Sequence, residues 1–205
     1  MYRENQMETI VAASQNKNKI KELEAITKEF GMQIISRDEA GIDNIEVIED
    51  GKTFEENSMK KAREIMKICG KITIADDSGI EVDALNGAPG VISARYAGEE
   101  CSDQKNREKL LKELDGIPLK KRAARFVAVI SMAYPDGKTI AARGECAGHV
   151  IFEERGTNGF GYDSLFVPLG YDQTFAEISP EEKNKISHRA NALKLLQIEL
   201  RRQSV

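Results

Sequence analysis

Several features that would assign this chain at once are missing from it. No apolar run approaches the roughly 20 residues that a membrane-spanning helix needs, so no membrane partner is expected. Residues 1–8 are polar and contain no apolar signal-peptide core. They read as an N-terminal extension or tail, with Met7 an alternative start because Met7-Glu8-Thr9 leads straight into an apolar strand. Cysteine is scarce: Cys69, Cys101 and Cys146 are odd in number, widely spaced and form no zinc pattern. Free thiols in a reducing, cytoplasmic compartment are the expectation. A basic excess is absent too. The net charge is −4 and Lys120-Lys121-Arg122 is the one short basic run before a strand, so nucleic acid is not an expected partner. There is no Walker-type glycine loop, which argues against P-loop hydrolysis. Repeats, low-complexity tracts and linkers are also lacking.

What remains is an ordinary globular composition, 40% hydrophobic and 31% charged over 205 residues. That length fits one domain or two closely packed lobes, and we read 1–205 as a single domain. Thr9 to Ala13 predicts a short buried strand. Ile20, Leu23, Ile26 and Phe30 then recur at helical steps up to Gly31. Ile45 to Ile48 reads as extended, Thr53 to Lys67 as a helix closed by Gly70, and Lys71 to Ala75 as a strand. Gly79 to Gly98 reads as a glycine-rich loop region. Ser102 caps a helix through Leu114. Arg125 to Tyr134 is the strongest strand pattern, turned by Pro135-Asp136-Gly137 into a return over Lys138 to Ala142, with a further strand over Gly144 to Glu153. Ser179-Pro180-Glu181-Glu182 carries helix-start signals, and the C-terminal helix packs Ile186, Ala190, Leu193, Leu196 and Leu200. Strands alternating with helices predict an α/β fold with a mixed sheet.

Three clusters carry chemistry. Ser14-Gln15-Asn16-Lys17-Asn18-Lys19 lies between a strand and a helix start, where backbone N–H groups and the helix dipole favour a polyphosphate. Lys19 in the first helical turn is a local conflict unless an anion is nearby. Lys61 is a second phosphate candidate, although periodicity alone would leave it solvated. Ala75-Asp76-Asp77-Ser78-Gly79 reads either as a plain turn or as a carboxylate site. Strand alternation places Asp77 with the smaller Thr73 and Ala75, which favours Asp77 over Asp76. Mg²⁺ suits one or two carboxylates plus phosphate oxygens, and Glu49, Asp50, Glu55 and Glu56 are the possible partners of Asp77. Asp77 would orient a water or accept its proton for attack on phosphorus. In Phe160-Gly161-Tyr162-Asp163, Phe160 or Tyr162 would stack on a base, glycine allows close approach and Asp163 accepts hydrogen bonds. His188 and Arg189 add donors for a ring oxygen or nitrogen.

These motifs, in this order, resemble the inosine triphosphate pyrophosphatase family of non-canonical purine nucleoside triphosphate pyrophosphatases. The resemblance runs from about Thr9 to Leu196. It rests on Ser14-x-Asn16-x-x-Lys19, Thr53-Phe54-Glu55-Glu56-Asn57 with Lys61, Ala75 to Gly79, Pro89-Gly90-Val91 with Ser93-Ala94-Arg95, Gly159 to Asp163, and Glu182-Lys183 followed by Ser187-His188-Arg189. It implies an elongated α/β fold with two lobes around a central nucleotide-binding cleft, a homodimer, and Mg²⁺-dependent hydrolysis of ITP, dITP and XTP to monophosphate and pyrophosphate. By position it implies that Ser14 to Lys19 and Lys61 hold phosphates, that Asp77 is the proton acceptor, and that Glu49 and Asp77 bind the metal. It likewise implies that Ser78 contacts substrate and that Phe160 to Asp163, Lys183, His188 and Arg189 bind base and sugar. Gln15 departs from the pattern, which carries a small residue there. The specificity has a physical reason. Donors from Arg189 or His188 welcome the ring oxygen of hypoxanthine and xanthine and oppose the amine of adenine.

Overall fold

The computed structural model describes residues 9–28, 31–42, 45–100 and 102–203. The 1–8 extension with Met7, and the positions Phe30 and Cys101, lie outside the described residues. In chain order the elements are β1 (Thr9–Ala12), α1 (Lys17–Thr27), β2 (Gln33–Ile35), α2 (Phe54–Cys69), β3 (Thr73–Val82), α3 (Asp103–Glu113), β4 (Ala123–Ala133), β5 (Thr139–Val150), β6 (Phe166–Pro168), α4 (Pro180–Ile186) and α5 (His188–Gln203). The strands form one mixed sheet in the order β2-β1-β3-β4-β5-β6. β1 runs parallel to both β2 and β3, with Val11 opposite Thr73 and Ala12 opposite Ile74. β5 and β6 are antiparallel, with His149 opposite Val167. The mixed α/β expectation is met.

Local sequence explains the elements that position functional groups. Ile10, Val11 and Ala12 are buried without alternation, as a parallel strand covered on both faces requires. α2 starts where the Thr53 side chain accepts the Glu56 N–H, with Glu55 and Glu56 in the first turn. It stops at Gly70, whose left-handed φ of 62° lets its N–H reach the Met66 carbonyl. β4 and β5 are joined by a tight hairpin in which Tyr134 N–H donates to Lys138 O at 2.9 Å.

Five expectations are corrected. α1 ends at Thr27 rather than at Gly31. Ile45–Ile48 carries no strand. β3 does not stop at Ala75 but continues through Asp76-Asp77-Ser78-Gly79 to Val82, so this segment is neither a turn nor a loop. The returning hairpin strand and its successor are one strand, β5, because Arg143 and Gly144 continue the ladder. The helix begun at Ser179 breaks at Ser187, whose extended backbone closes α4. The Ser187 side chain then accepts the Ala190 N–H at 3.2 Å and so caps α5.

The chain divides into two compact units. The first comprises the chain up to Asp76, Val129–Ala142 and the segment from Leu193 onward; the second comprises Asp77–Ala128 and Arg143–Ala192. Each has its own core. In the first, Val11, Ala13, Ile42, Ala62, Ile65, Ala75 and Ala133 pack together. In the second, Ile80, Val82, Leu110, Leu114, Phe126, Phe166 and Phe175 form the main cluster. There Phe126 meets Phe166 edge-on, with ring centroids 4.8 Å apart, a geometry that adds to the area these rings bury.

Candidate active site

The strand-to-helix junction after β1 is built by short side chains. Ser14 Oγ accepts the Asn16 N–H at 3.1 Å. Asn16 is the N-cap of α1, and its Oδ1 accepts the N–H groups of Asn18 (3.0 Å) and Lys19 (3.2 Å). Gln15, Asn16, Lys17 and Asn18 are exposed. Lys19 turns inward, and its Nζ lies 2.8 Å from Asp76 Oδ1, the carboxylate being fully buried. A cation in the first turn opposes the helix dipole. Asp76 supplies the anion that resolves this conflict.

Lys61 is 8% exposed. It belongs to a buried stripe on α2 made of Phe54, Asn57, Ser58, Lys61, Ala62 and Ile65, spaced at three and four residues. Its ammonium donates to the Asp76 carbonyl at 2.8 Å and to Glu49 Oε1 at 3.1 Å. Thus two lysines from two helices converge on Asp76, one on its carboxylate and one on its backbone. Of the other acids considered beside Asp77, Asp50 pairs with Lys60 at 2.7 Å, a hydrogen bond that holds its carboxyl below the usual range. Glu56 Oε2 accepts the Lys52 N–H at 2.6 Å, and Glu55 is exposed.

Asp77 opens the second unit and is 4% exposed. Among the described residues no three His, Cys, Asp or Glu side chains cluster into a metal cage. Mg²⁺ does not need one. It takes one or two carboxylates and completes its shell with water and phosphate oxygens. The acids Glu49 and Asp77 are hard oxygen donors of the type Mg²⁺ takes, without the thiolate or imidazole that would favour zinc.

In the second unit, Asp163 organises the segment before it. Its Oδ2 accepts the Phe160 N–H at 2.9 Å and pairs with Lys183 Nζ at 2.6 Å, both side chains being about 95% buried. Gly159 permits this. Its φ is +74°, and a Cβ there would lie 2.0 Å from Asp163 Oδ2. The Lys183 ammonium also stands 5.1 Å from the Phe160 ring centroid, within cation–π range. The two aromatic candidates differ in place. Phe160 is half-buried, whereas Tyr162 is 4% exposed in the core and its hydroxyl donates to Ser93 O at 2.8 Å. Burial pushes the Tyr162 phenol well above its ordinary pKa. His188 is stacked on Phe126 with centroids 4.8 Å apart and planes 13° apart. Arg189 is fully buried, and its Nη2 lies 3.2 Å from Ser78 Oγ on β3. Sequence reasoning missed Asp76 as the group that gathers Lys19 and Lys61, and Phe126 as the ring beneath His188. The stripe spacing on α2 was a signal that would have buried Lys61; nothing local pointed to Phe126.

The sequence profile of the Ham1 family matches residues 10–198. The chain belongs to the Ham1 family. Among its relatives, the dITP/XTP pyrophosphatase of Clostridium perfringens is 50% identical over 201 residues, which is 95% of this chain and 98% of that protein. The dITP/XTP pyrophosphatase of Haemophilus influenzae is 51% identical over 193 residues, covering 93% and 98%. The structure of the Staphylococcus aureus Ham1 protein matches with a TM-score of 0.83 and 45% identity, over 96% of this chain and 100% of that one. The motif resemblance is thereby borne out at the level of the Ham1 family and fold.

Proposed function

We propose that this Ham1-family chain hydrolyses non-canonical purine nucleoside triphosphates (ITP, dITP and XTP) to the monophosphate and pyrophosphate. The reading is carried by one observation: a buried acid, Asp76, whose carboxylate pairs with Lys19 and whose backbone carbonyl accepts from Lys61, precedes a second buried acid, Asp77, in a chain half-identical to proteins named for this reaction. Lysines held ready by an internal anion can re-engage phosphate oxygens without a large reorganisation, which is how preorganised charge lowers a barrier. Ser14 to Lys19 and Lys61 hold the phosphates. Asp77 orients the water and takes its proton as the water oxygen bonds to phosphorus and the α–β anhydride bond breaks. Bound Mg²⁺, with Glu49 and Asp77 as its protein ligands, would neutralise phosphate charge.

In the second unit, Phe160 offers the ring for stacking, and Gly161, Tyr162, Asp163, Lys183, His188, Arg189 and Ser78 complete the reading of base and sugar. Arg189 is a donor-only group. A site built on such donors accepts the oxygen of hypoxanthine or xanthine and leaves buried groups unpaired with adenine. A homodimer belongs to the same proposal, and exposed Phe152 (57%) and Leu169 (79%) supply apolar surface of the kind subunit contacts use. A reducing, cytoplasmic setting is supported by free Cys69 and Cys146. The net charge of −4 supports a small-molecule substrate over nucleic acid.

The test is Asp77→Asn. Turnover of ITP should fall by a factor of about 10² or more, the scale of a lost general base, while calorimetry still detects ITP binding. Near-normal turnover would remove Asp77 from this role.

A further inference from the structure

The segment read as the base platform is held from outside by a helix that the proposed reaction does not otherwise use. Gly161 sits between Phe160 and Tyr162 with a left-handed φ of +62°. Both of its backbone polar groups bond to α3. Its N–H donates to Asp103 Oδ2 at 2.8 Å, and its carbonyl accepts from Arg107 Nη1 at 2.9 Å. Asp103 and Arg107 are four residues apart and therefore lie on one face of the helix. Arg107 is itself tethered, its Nε lying 2.9 Å from Glu154 Oε2. The same Glu154 oxygen accepts the Ser164 hydroxyl at 2.9 Å, just past the platform. Further anchors hold the neighbours: Asp163 accepts the Phe160 N–H, and the Tyr162 hydroxyl donates to Ser93 O.

From this arrangement we infer that Asp103 and Arg107 are positioning residues for nucleobase recognition. They fix the two peptide groups flanking Gly161, the first of which Phe160 shares, and so constrain the plane of the Phe160 ring. This rests on the proposed reading of Phe160 to Asp163 as the base platform. A charge-assisted bond to each side of one residue is a stronger restraint than a neutral pair, and it acts where the chain takes a conformation that glycine adopts freely. Neither side chain needs to touch the substrate. The role is to remove rotational freedom from the platform before the base arrives, which lowers the ordering cost of binding.

The inference separates from a purely structural role by where the loss falls. Arg107→Met keeps the aliphatic stem and removes the donor; Arg107→Lys restores a cation. Wild type is measured first, by pyrophosphate release from ITP and by calorimetric binding of inosine monophosphate against adenosine monophosphate. If wild type shows neither turnover nor preferential inosine binding, the base-platform reading fails and this inference with it. Given an active wild type, Arg107→Met and Asp103→Ala should each raise KM for ITP and weaken inosine monophosphate binding about tenfold, the scale of one lost charge-assisted hydrogen bond. In both variants kcat should stay within about threefold, a shift well under 1.4 kcal/mol. Arg107→Lys should recover part of the binding. Equal losses in kcat and kcat/KM, unchanged inosine monophosphate binding, or weaker binding that tracks only a lowered unfolding midpoint would each overturn it.

Discussion

Replacing Lys183 by Met gives the most demanding test of how the second unit is held together. The Lys183 ammonium lies 2.6 Å from Asp163 Oδ2, and the side chains are only 5% and 4% exposed. A solvent-exposed pair would contribute about 0–1 kcal/mol. Here the substitution leaves a buried carboxylate without this ammonium, and breaking a buried pair from one side costs about 3–5 kcal/mol. Methionine is close to the lysine stem in volume, so the cavity contribution is small and the loss is mainly electrostatic. In a protein of this size, each kcal/mol moves the melting midpoint by about 2–4 °C. Lys183→Met should therefore melt roughly 6–20 °C below wild type at neutral pH. The double variant Lys183→Met/Asp163→Asn should cost less than the two single losses added together, because the second change removes the charge stranded by the first. Differential scanning calorimetry on the four proteins measures both quantities. A single-variant loss under about 1 kcal/mol, the range of a surface pair, would refute the argument that this pair is buried and mutually dependent.

Other expectations concern specificity, metal and thiol chemistry. Arg189→Ala should chiefly erode the preference for ITP over ATP, read from the ratio of kcat/KM values; a uniform loss with the ratio intact would make Arg189 a structural or phosphate-binding residue. Chelating divalent ions should abolish pyrophosphate release and Mg²⁺ should restore it, whereas full activity in chelator would remove Glu49 and Asp77 as metal ligands. Burial pushes the Cys146 thiol up to about 11 from an ordinary value of 9.0. Below pH 9 it is neutral in both folded and unfolded chains, so its contribution to stability is fully present. Between pH 9 and 11 the unfolded thiol ionises first and that contribution is lost. Cys146→Ala should therefore flatten the alkaline fall in melting midpoint over this window, and an unchanged slope would contradict the assignment.

The elements most legible in sequence are those whose patterns and caps agree. α2 is closed by Gly70 as read, while Thr53, read as its first residue, is its N-cap. The β4–β5 hairpin follows from an apolar strand meeting Pro135-Asp136-Gly137. β3 was read too short because Asp, Ser and Gly favour turns locally. In the fold the sheet extends these residues, and Ile80 and Val82 enter the second core. The burial of Lys61 was hidden because periodicity treats lysine as polar, although it stands on the same stripe as Phe54 and Ala62. The convergence of Lys19 and Lys61 on Asp76 is a long-range fact. Residues 19, 61 and 76 share no local pattern, and only the parallel pairing of β1 with β3 and the packing of α2 bring them together. The bonds from α3 to Gly161 span more than 50 residues and left no local trace. The base-reading motif was visible as residue types, but which aromatic ring lies in the core was not.

Pyrophosphate and orthophosphate release, measured in parallel with Mg²⁺ from inosine, xanthosine, guanosine and adenosine triphosphates, test the central claim most directly. The account predicts pyrophosphate from the first two, with the other two largely spared. Orthophosphate as the product, or equal turnover of adenosine triphosphate, would contradict it.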